Sequence, residues 1–389
     1  MIIRIVAVLA VLVTGIWIVA SYIKIPEQPN AELASAKWLA HSFYEVGFAE
    51  IELEDRSRPT SSNREYRGHT SRKFEGGLWY PAVEDDGVAP GSHPVVIFSH
   101  GFGADYNSGE YLAENLASRG YIVLSMSYPL TNTDAPGGPL VRDVANQPED
   151  VSFFINSLLD MDTEQGSILY QRINAASIGA MGISLGGMTT TMAAFHPSKG
   201  DERIKAAISL AGPSAMFSDK FYQHKELPFL MIAADKDALV NYATNAQPVL
   251  ERVRGATLIN IKGGSHIGFS SFSTHLRWLN NPDIVACWAV MKNLVDESVD
   301  AVDSWNDDIG LPAEGILSVA EIPLCPEDLP ESINPLRQQQ LTQMAVSSFF
   351  EMVFGQTQAE RDRAKQYFTT DFAIENPDIT LETGASDSN

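Results

Sequence analysis

Short apolar runs, each closed by glycine or a polar residue, recur through the middle of the chain: Pro94–Ser99, Tyr121–Tyr128, Ala176–Met181, Ile204–Leu210, Pro228–Ala234 and Thr257–Ile261. Compact runs with turn residues at their ends predict strands buried on both faces, the kind found in a parallel sheet. Helical spacing falls between them. Gln147–Leu159 has Pro148 near its start, and a small-residue run leads from Gly187 to Phe195. Gln338–Phe354 reads as a last amphipathic helix. Strands alternating with helices predict an α/β chain with a doubly wound, mostly parallel sheet.

The flanking stretches carry weaker patterns. Residues 25–44 read as a linker and a short helix, and 45–82 as an edge hairpin with a polar interruption from Arg56 to Arg72. Gly- and Pro-rich Thr133–Pro139 predicts a loop after a strand, placed to form one wall of a pocket. One domain is expected over 45–356. Within it, 268–335 is a cap or insertion whose Phe269, Phe272, Trp278 and Trp288 fit either a cap or the core. Met216, Phe217 and Phe221 are similarly divided between lining a pocket and ordinary packing. Residues 357–389 are expected to be a C-terminal tail, disordered over about the last twenty positions.

The chain begins differently. Nineteen uncharged residues, Ile5 to Ile23, lie between Arg4 and Lys24. That length can span a bilayer, and a charged start before an apolar run also fits a signal peptide. Residues 1–24 are therefore expected to be a transmembrane anchor or a cleaved signal. Either one exports the protein, and the anchor would hold it to the membrane.

Gly182-Ile183-Ser184-Leu185-Gly186 sits between a predicted strand and a predicted helix. This G-x-S-x-G context is that of a nucleophile elbow, with a serine hydroxyl exposed on a sharp turn. Side chains at Gly182 or Gly186 would crowd the backbone there. A serine hydroxyl needs a base, and the base needs an orienting acid. Downstream of Ser184 lie His196, His224, His266 and His275. His266 follows the Thr257–Ile261 strand and Gly263-Gly264-Ser265, which suits a loop presenting an imidazole. His196 reads as a helix C-terminal residue, His224 as solvated and His275 as a helix start or lid. The acid is expected after Pro228–Ala234, where both Asp235 and Asp237 are candidates. Asp237, further out along the loop, is preferred, and Asp235 is expected to bond its own turn. The backbone N–H groups of Leu185 and of Phe102, in His100-Gly101-Phe102-Gly103, are the expected oxyanion-hole donors. His100 itself is expected to hold that loop. This chemistry calls for no metal and no organic cofactor.

Charge and cysteine content narrow the picture. The formal net charge is −22, from 27 Lys and Arg against 49 Asp and Glu. With no basic patch to compensate, this opposes nucleic acid as a partner. The two cysteines, Cys287 and Cys325, either remain free thiols or pair in an exported protein. A bridge would close a loop of about 39 residues, worth ~4 kcal/mol in the chain-entropy description.

Together these motifs resemble the serine α/β-hydrolases of the platelet-activating-factor acetylhydrolase and dienelactone-hydrolase-like superfamily. The resemblance runs through Asp55–Pro59, Leu78–Ala82, F-S-H-G-F-G at 98–103, Leu116–Tyr121, the elbow and G-G-S-H at 263–266. The acid and histidine loops are also similar to those of bacterial cutinases and polyester hydrolases, which supports Asp237. Dienelactone hydrolases use cysteine where this chain has Ser184. The resemblance implies hydrolysis of short-chain acyl esters, small or lipid-derived, with phospholipid-like substrates first. Cutinase or polyester esters and peptides are the alternatives on the same fold, and a non-catalytic binding protein is a further one.

Overall fold

A computed structural model describes residue 15 and residues 25–385, apart from 27–28, 41–42, 84–86, 295–307 and 319–323. Nine strands form one sheet: β1 (Glu45–Asp55), β2 (Arg72–Ala82), β3 (His93–Ser99), β4 (Ile122–Ser127), β5 (Ile173–Ile183), β6 (Ile204–Leu210), β7 (Phe229–Ala234), β8 (Thr257–Ile261) and β9 (Ile379–Thr383). Their order is β1-β2-β4-β3-β5-β6-β7-β8-β9. The pairings from β4 to β8 are parallel, and β1, β2 and β9 pair antiparallel at the two edges. The predicted hairpin over 45–82 is continuous, with Glu45 opposite Ala82 and Asp55 opposite Arg72.

Seven helices matter for the site: α1 (Ala34–Leu39), α2 (Glu110–Ser118), α3 (Gln147–Thr163), α4 (Leu185–Phe195), α5 (Asp283–Leu294), α6 (Pro335–Phe354) and α7 (Gln358–Gln366). Strand alternation divides the core between the two faces of the sheet. Val95 and Ile97 of β3 join Val151, Phe154 and Leu158 of α3 and Met188 and Met192 of α4. Val96 and Phe98 point the other way, toward Leu112 and Leu116 of α2 and Leu341 and Phe349 of α6. Both faces of the central strands are therefore dry, which is why these strands read as unbroken apolar runs. α6 starts earlier than its amphipathic pattern indicates: Pro335 occupies its first turn and the Asn334 side chain accepts from the Leu336 N–H.

The C-terminal expectation is overturned. Residues 357–383 continue through α7 and a π-helical turn, Tyr367–Asp371, into β9, which pairs with β8 along its whole length. The sparse apolar residues of this segment are placed at the contacts: Ala364, Tyr367, Phe368, Phe372 and Ile379 are all buried. β9 covers an edge of β8 that would otherwise expose unpaired backbone.

The expected transmembrane or signal segment, residues 1–24, lies outside the described residues except for Gly15. Among the described residues no helix is long and apolar enough to cross a membrane.

A buried ion network fixes the hairpin to α3 and the turn before it. Arg72, at the start of β2, is 1% exposed and donates to Asp143 and Asp150, each through two N–H groups. Arg58 also approaches Asp150, at 2.7 Å. Removing one partner of such a pair leaves charge without compensation in a dry site. Arg72→Met is expected to lower the unfolding free energy by about 3–5 kcal/mol, measured by urea unfolding. An unchanged midpoint would show that the network does not bear on stability.

Candidate active site

The loops that follow β3, β5, β7 and β8 emerge together at the C-terminal edge of the parallel strands, where α/β sheets open a crevice. The elbow comes from β5. Its strand register places Gly182 between Ser99 of β3 and Ser209 of β6. Ser184 follows at φ 56°, ψ −122°, with its N–H donating to the Leu210 carbonyl at 2.8 Å. α4 starts at the next residue, and the N–H groups of Gly187 and Met188 donate back to the Ser184 carbonyl. A Cβ on Gly182 would collide with the Gly186 carbonyl, and one on Gly186 with the Ser99 carbonyl. The two glycines are thus required by backbone approach.

His266 Nε2 lies 2.8 Å from Ser184 Oγ, and its Nδ1 lies 2.7 Å from Asp237 Oδ2. With Nδ1–H donating to the carboxylate, Nε2 is left to accept the serine proton. The second Asp237 oxygen accepts from the N–H groups of Leu239 and Val240 at 2.8 and 2.7 Å, so the carboxylate cannot swing away. His266 is buried. Burial works against its imidazolium, but Asp237 and then Asp283 outweigh that, and its pKa is shifted upward. An imidazole so placed is a stronger base than a free one.

Asp235 takes a different position from the one expected. It is exposed, and instead of bonding its own turn it accepts from the Gly263 N–H of the histidine loop at 2.6 Å. The other histidines stand apart. His196 caps the end of α4 with Nε2 at the Ile309 carbonyl, while His224 and His275 are exposed.

The loop after β3 reaches the elbow, since a Cβ on Gly101 would stand 3.3 Å from the Ser184 Cβ. Phe102 and Leu185 therefore belong to the two segments that flank the serine. His100 holds this loop from behind: its Nε2 accepts from the Tyr128 N–H at 2.9 Å, and Nδ1 donates to the Gly101 carbonyl at 2.7 Å. Gly103 donates to Thr131, and Thr133 to Ala104, so the Thr133–Pro139 loop lies alongside. The Arg56–Arg72 interruption folds over and reaches that loop, with Asn63 donating to the carbonyls of Pro136 and Gly138.

The 268–335 segment resolves unevenly. Phe269 is core, fully buried against the face that carries α6, whereas Phe272, Trp278 and Trp288 are exposed. Phe217 and Phe221 stack on each other in the core, so they are packing residues and not pocket walls. Cys287 and Cys325 form a disulfide, with Cα atoms 5.6 Å apart. Sequence reasoning missed Asp283, at the start of α5, and Gln338 of α6, both fully buried against the histidine loop. Gln338 pairs with both backbone groups of Ser265. An acid at a helix start and a polar residue in an amphipathic helix carry no local mark of such a role. Among the described residues, no group of three or more His, Cys, Asp or Glu side chains could hold a metal ion.

Comparison with known proteins adds the context. The PET hydrolase-like family profile matches residues 55–299, more than half of the 389-residue chain. Cutinase est1 of Thermobifida alba is 27% identical over 209 residues, 53% of this chain and 62% of the cutinase. A bis(hydroxyethyl) terephthalate hydrolase of Streptomyces coelicolor is 29% identical over 185 residues, 47% of this chain and 52% of that protein. The chain thus spans about half to two thirds of the length of these relatives. A ferulic acid esterase from Streptomyces cinnamoneus shares the fold at a TM-score of 0.53 and 20% identity, covering 90% of this chain and 98% of its own.

His100 yields a pH prediction. Burial pushes its pKa down to about 4, against the opposing effects of the Gly101 carbonyl and Asp105. The unfolded chain takes up this proton near pH 6.5. The contribution is therefore complete above pH 6.5 and is lost as pH falls toward 4, about 3 kcal/mol in all. Stability of the wild type is expected to fall across that window. His100→Gln is expected to flatten the slope there, and parallel curves for the two proteins would refute the assignment.

Proposed function

The chain belongs to the PET hydrolase-like family, and on that premise we propose that it is a serine carboxylic-ester hydrolase acting through an acyl-enzyme. The observation that carries this reading is the unbroken hydrogen-bonded line from Ser184 through His266 to Asp237. In the proposed reaction, Ser184 Oγ attacks the ester carbonyl while its proton passes to His266 Nε2. Asp237 keeps the imidazole oriented and stabilises the imidazolium. The N–H groups of Leu185 and Phe102 receive the oxyanion of the tetrahedral intermediate. His266 then protonates the departing alkoxide, and a water molecule activated by the same histidine releases the acid and restores Ser184.

For the substrate, the cutinase and terephthalate-hydrolase relatives support cutin- and polyester-type esters, those of aryl acids included. These now stand ahead of acetylated phospholipids. Phe272, Trp278 and Trp288, exposed on the segment after His266, are compatible with an apolar substrate. Action outside the reducing cytosol is part of the proposal and is supported by the Cys287–Cys325 bridge.

The test is hydrolysis of p-nitrophenyl esters from acetyl to palmitoyl, and of bis(hydroxyethyl) terephthalate, by the full chain. Turnover is expected to peak among the short acyl esters and to include the terephthalate. Ser184→Ala is expected to lower kcat by about 10⁴-fold or more with folding intact. No turnover on any ester would favour a peptidase or a binding protein. The choice of acid has its own test: Asp237→Asn should cost much of the activity, and Asp235→Asn little. The reverse order would move the acid to Asp235.

A further inference from the structure

Two loops must hold their distance for the triad to work. Asp237 lies on the loop after β7 and His266 on the loop after β8, and neither is fixed by its own strand beyond Ala234 and Ile261. The Asp283 carboxylate lies between them. One oxygen accepts from the N–H of Ala238 at 3.0 Å and from that of His266 at 2.9 Å. The other accepts from the N–H of Ile267 at 2.8 Å. The residue next to the acid and the histidine itself are therefore tethered to a single oxygen atom.

The carboxylate is itself held. Asp283 opens α5 and is 0% exposed, and its own N–H donates to the Asn281 side chain at 2.9 Å. One turn further along α5, Cys287 is bridged to Cys325, whose N–H donates to the Ala238 carbonyl at 2.8 Å. Ala238 is thus gripped on both sides of its backbone, by the start of α5 and by a segment covalently joined to α5. Burial, and then the neighbouring Asp237, push the Asp283 pKa up, while His266 and the N–H groups of Ile267 and His266 converging on the carboxylate work against that shift and favour its ionised form.

From this geometry we propose that Asp283 is a positioning residue, which sets the Asp237–His266 distance and places a second negative charge beside the imidazole. The proposal rests on the triad reading given above. Asp283 does not reach the serine and takes no proton in the reaction. Its charge favours the imidazolium formed when Ser184 attacks, in the same sense as Asp237.

Among the described residues, the charged groups facing His266 are few. Asp237 comes from the β7 loop and Asp283 from α5. Asp235 and Lys236 of the β7 loop are exposed, with Asp235 turned to Gly263. The elbow contributes only the Ser184 hydroxyl. Removing the Asp283 charge should accordingly lower the His266 pKa, and the base should stay neutral, and active, to lower pH.

The experiment compares full-chain wild type, Asp283→Asn and Asp283→Glu on p-nitrophenyl acetate across pH, with Ser184→Ala alongside. For Asp283→Asn, kcat is expected to fall roughly 10- to 100-fold, as for a small misplacement of a catalytic group. KM should be nearly unchanged, and the acid limb of kcat/KM should move to lower pH. Asp283→Glu keeps the charge but lengthens the arm, so it should lower kcat without that displacement of the acid limb. A purely structural role would lower folded protein in both variants and leave the acid limb of what remains in place, and that result overturns the proposal. Wild-type kcat in either folded variant also overturns it. If only Asp283→Glu folds, its kcat decides. Absence of Ser184-dependent turnover in the wild type would instead defeat the triad reading, so the two failures are distinguishable.

Discussion

The backbone at Ser184 occupies φ 56°, ψ −122°, a conformation that costs a residue with a side chain about 1–3 kcal/mol. It persists because everything around it is fixed. β5 is paired on both sides, by β3 and β6. The Ser184 N–H is tied to Leu210 and its carbonyl to the first turn of α4. Gly182 and Gly186 let the chain pass close to Ser99. α4 is buried along its whole length, so the elbow cannot relax without disturbing the core. The position of one hydroxyl is set by the sheet itself.

The histidine and acid have no such strand-borne constraint. They sit on loops, and loops are held by what packs behind them. Gln338 from α6 grips Ser265, Asp283 from α5 grips His266 and Ala238, and Asp235 reaches across to Gly263. The segment beyond His266 is therefore more than decoration. Its start and the C-terminal helix α6 form the back wall of the histidine loop, while its exposed aromatic side chains face outward. The loop after β3 is treated alike, with His100 behind it bonding Tyr128 and Gly101.

Local pattern carried far in the central sheet. β3 to β8 are buried on both faces, so each appears as a compact apolar run whose ends are marked by Gly, Ser or Asp. The elbow and the Gly-Gly before His266 were legible for the same reason, since close backbone approach restricts residue type at particular positions. β9 was not legible. Its Ile-Thr-Leu-Glu-Thr sequence is short and half polar, and it is a strand because β8 offers an edge over one hundred residues away in sequence. Segment 268–335 was poorly legible too, because Phe269 and Phe272 are alike in sequence and opposite in burial.

The chain by itself determined the alternation of strand and helix, the strained turn at Ser184, and the residue types able to supply a base, an acid and backbone donors. These depend on neighbours a few residues apart, where sterics and burial period act directly. The sequence favoured Asp237 over Asp235 by its place further along the loop, and tertiary structure brings Asp237 to His266 and turns Asp235 to Gly263. Tertiary structure also decided that Cys287 meets Cys325, that Phe217 and Phe221 are core, and that Asp283 lies under the histidine loop. The acid, cysteine and Asp283 contacts join groups 17 to 38 residues apart. No local periodicity encodes such a meeting, and only the packing of the sheet and its helices sets it.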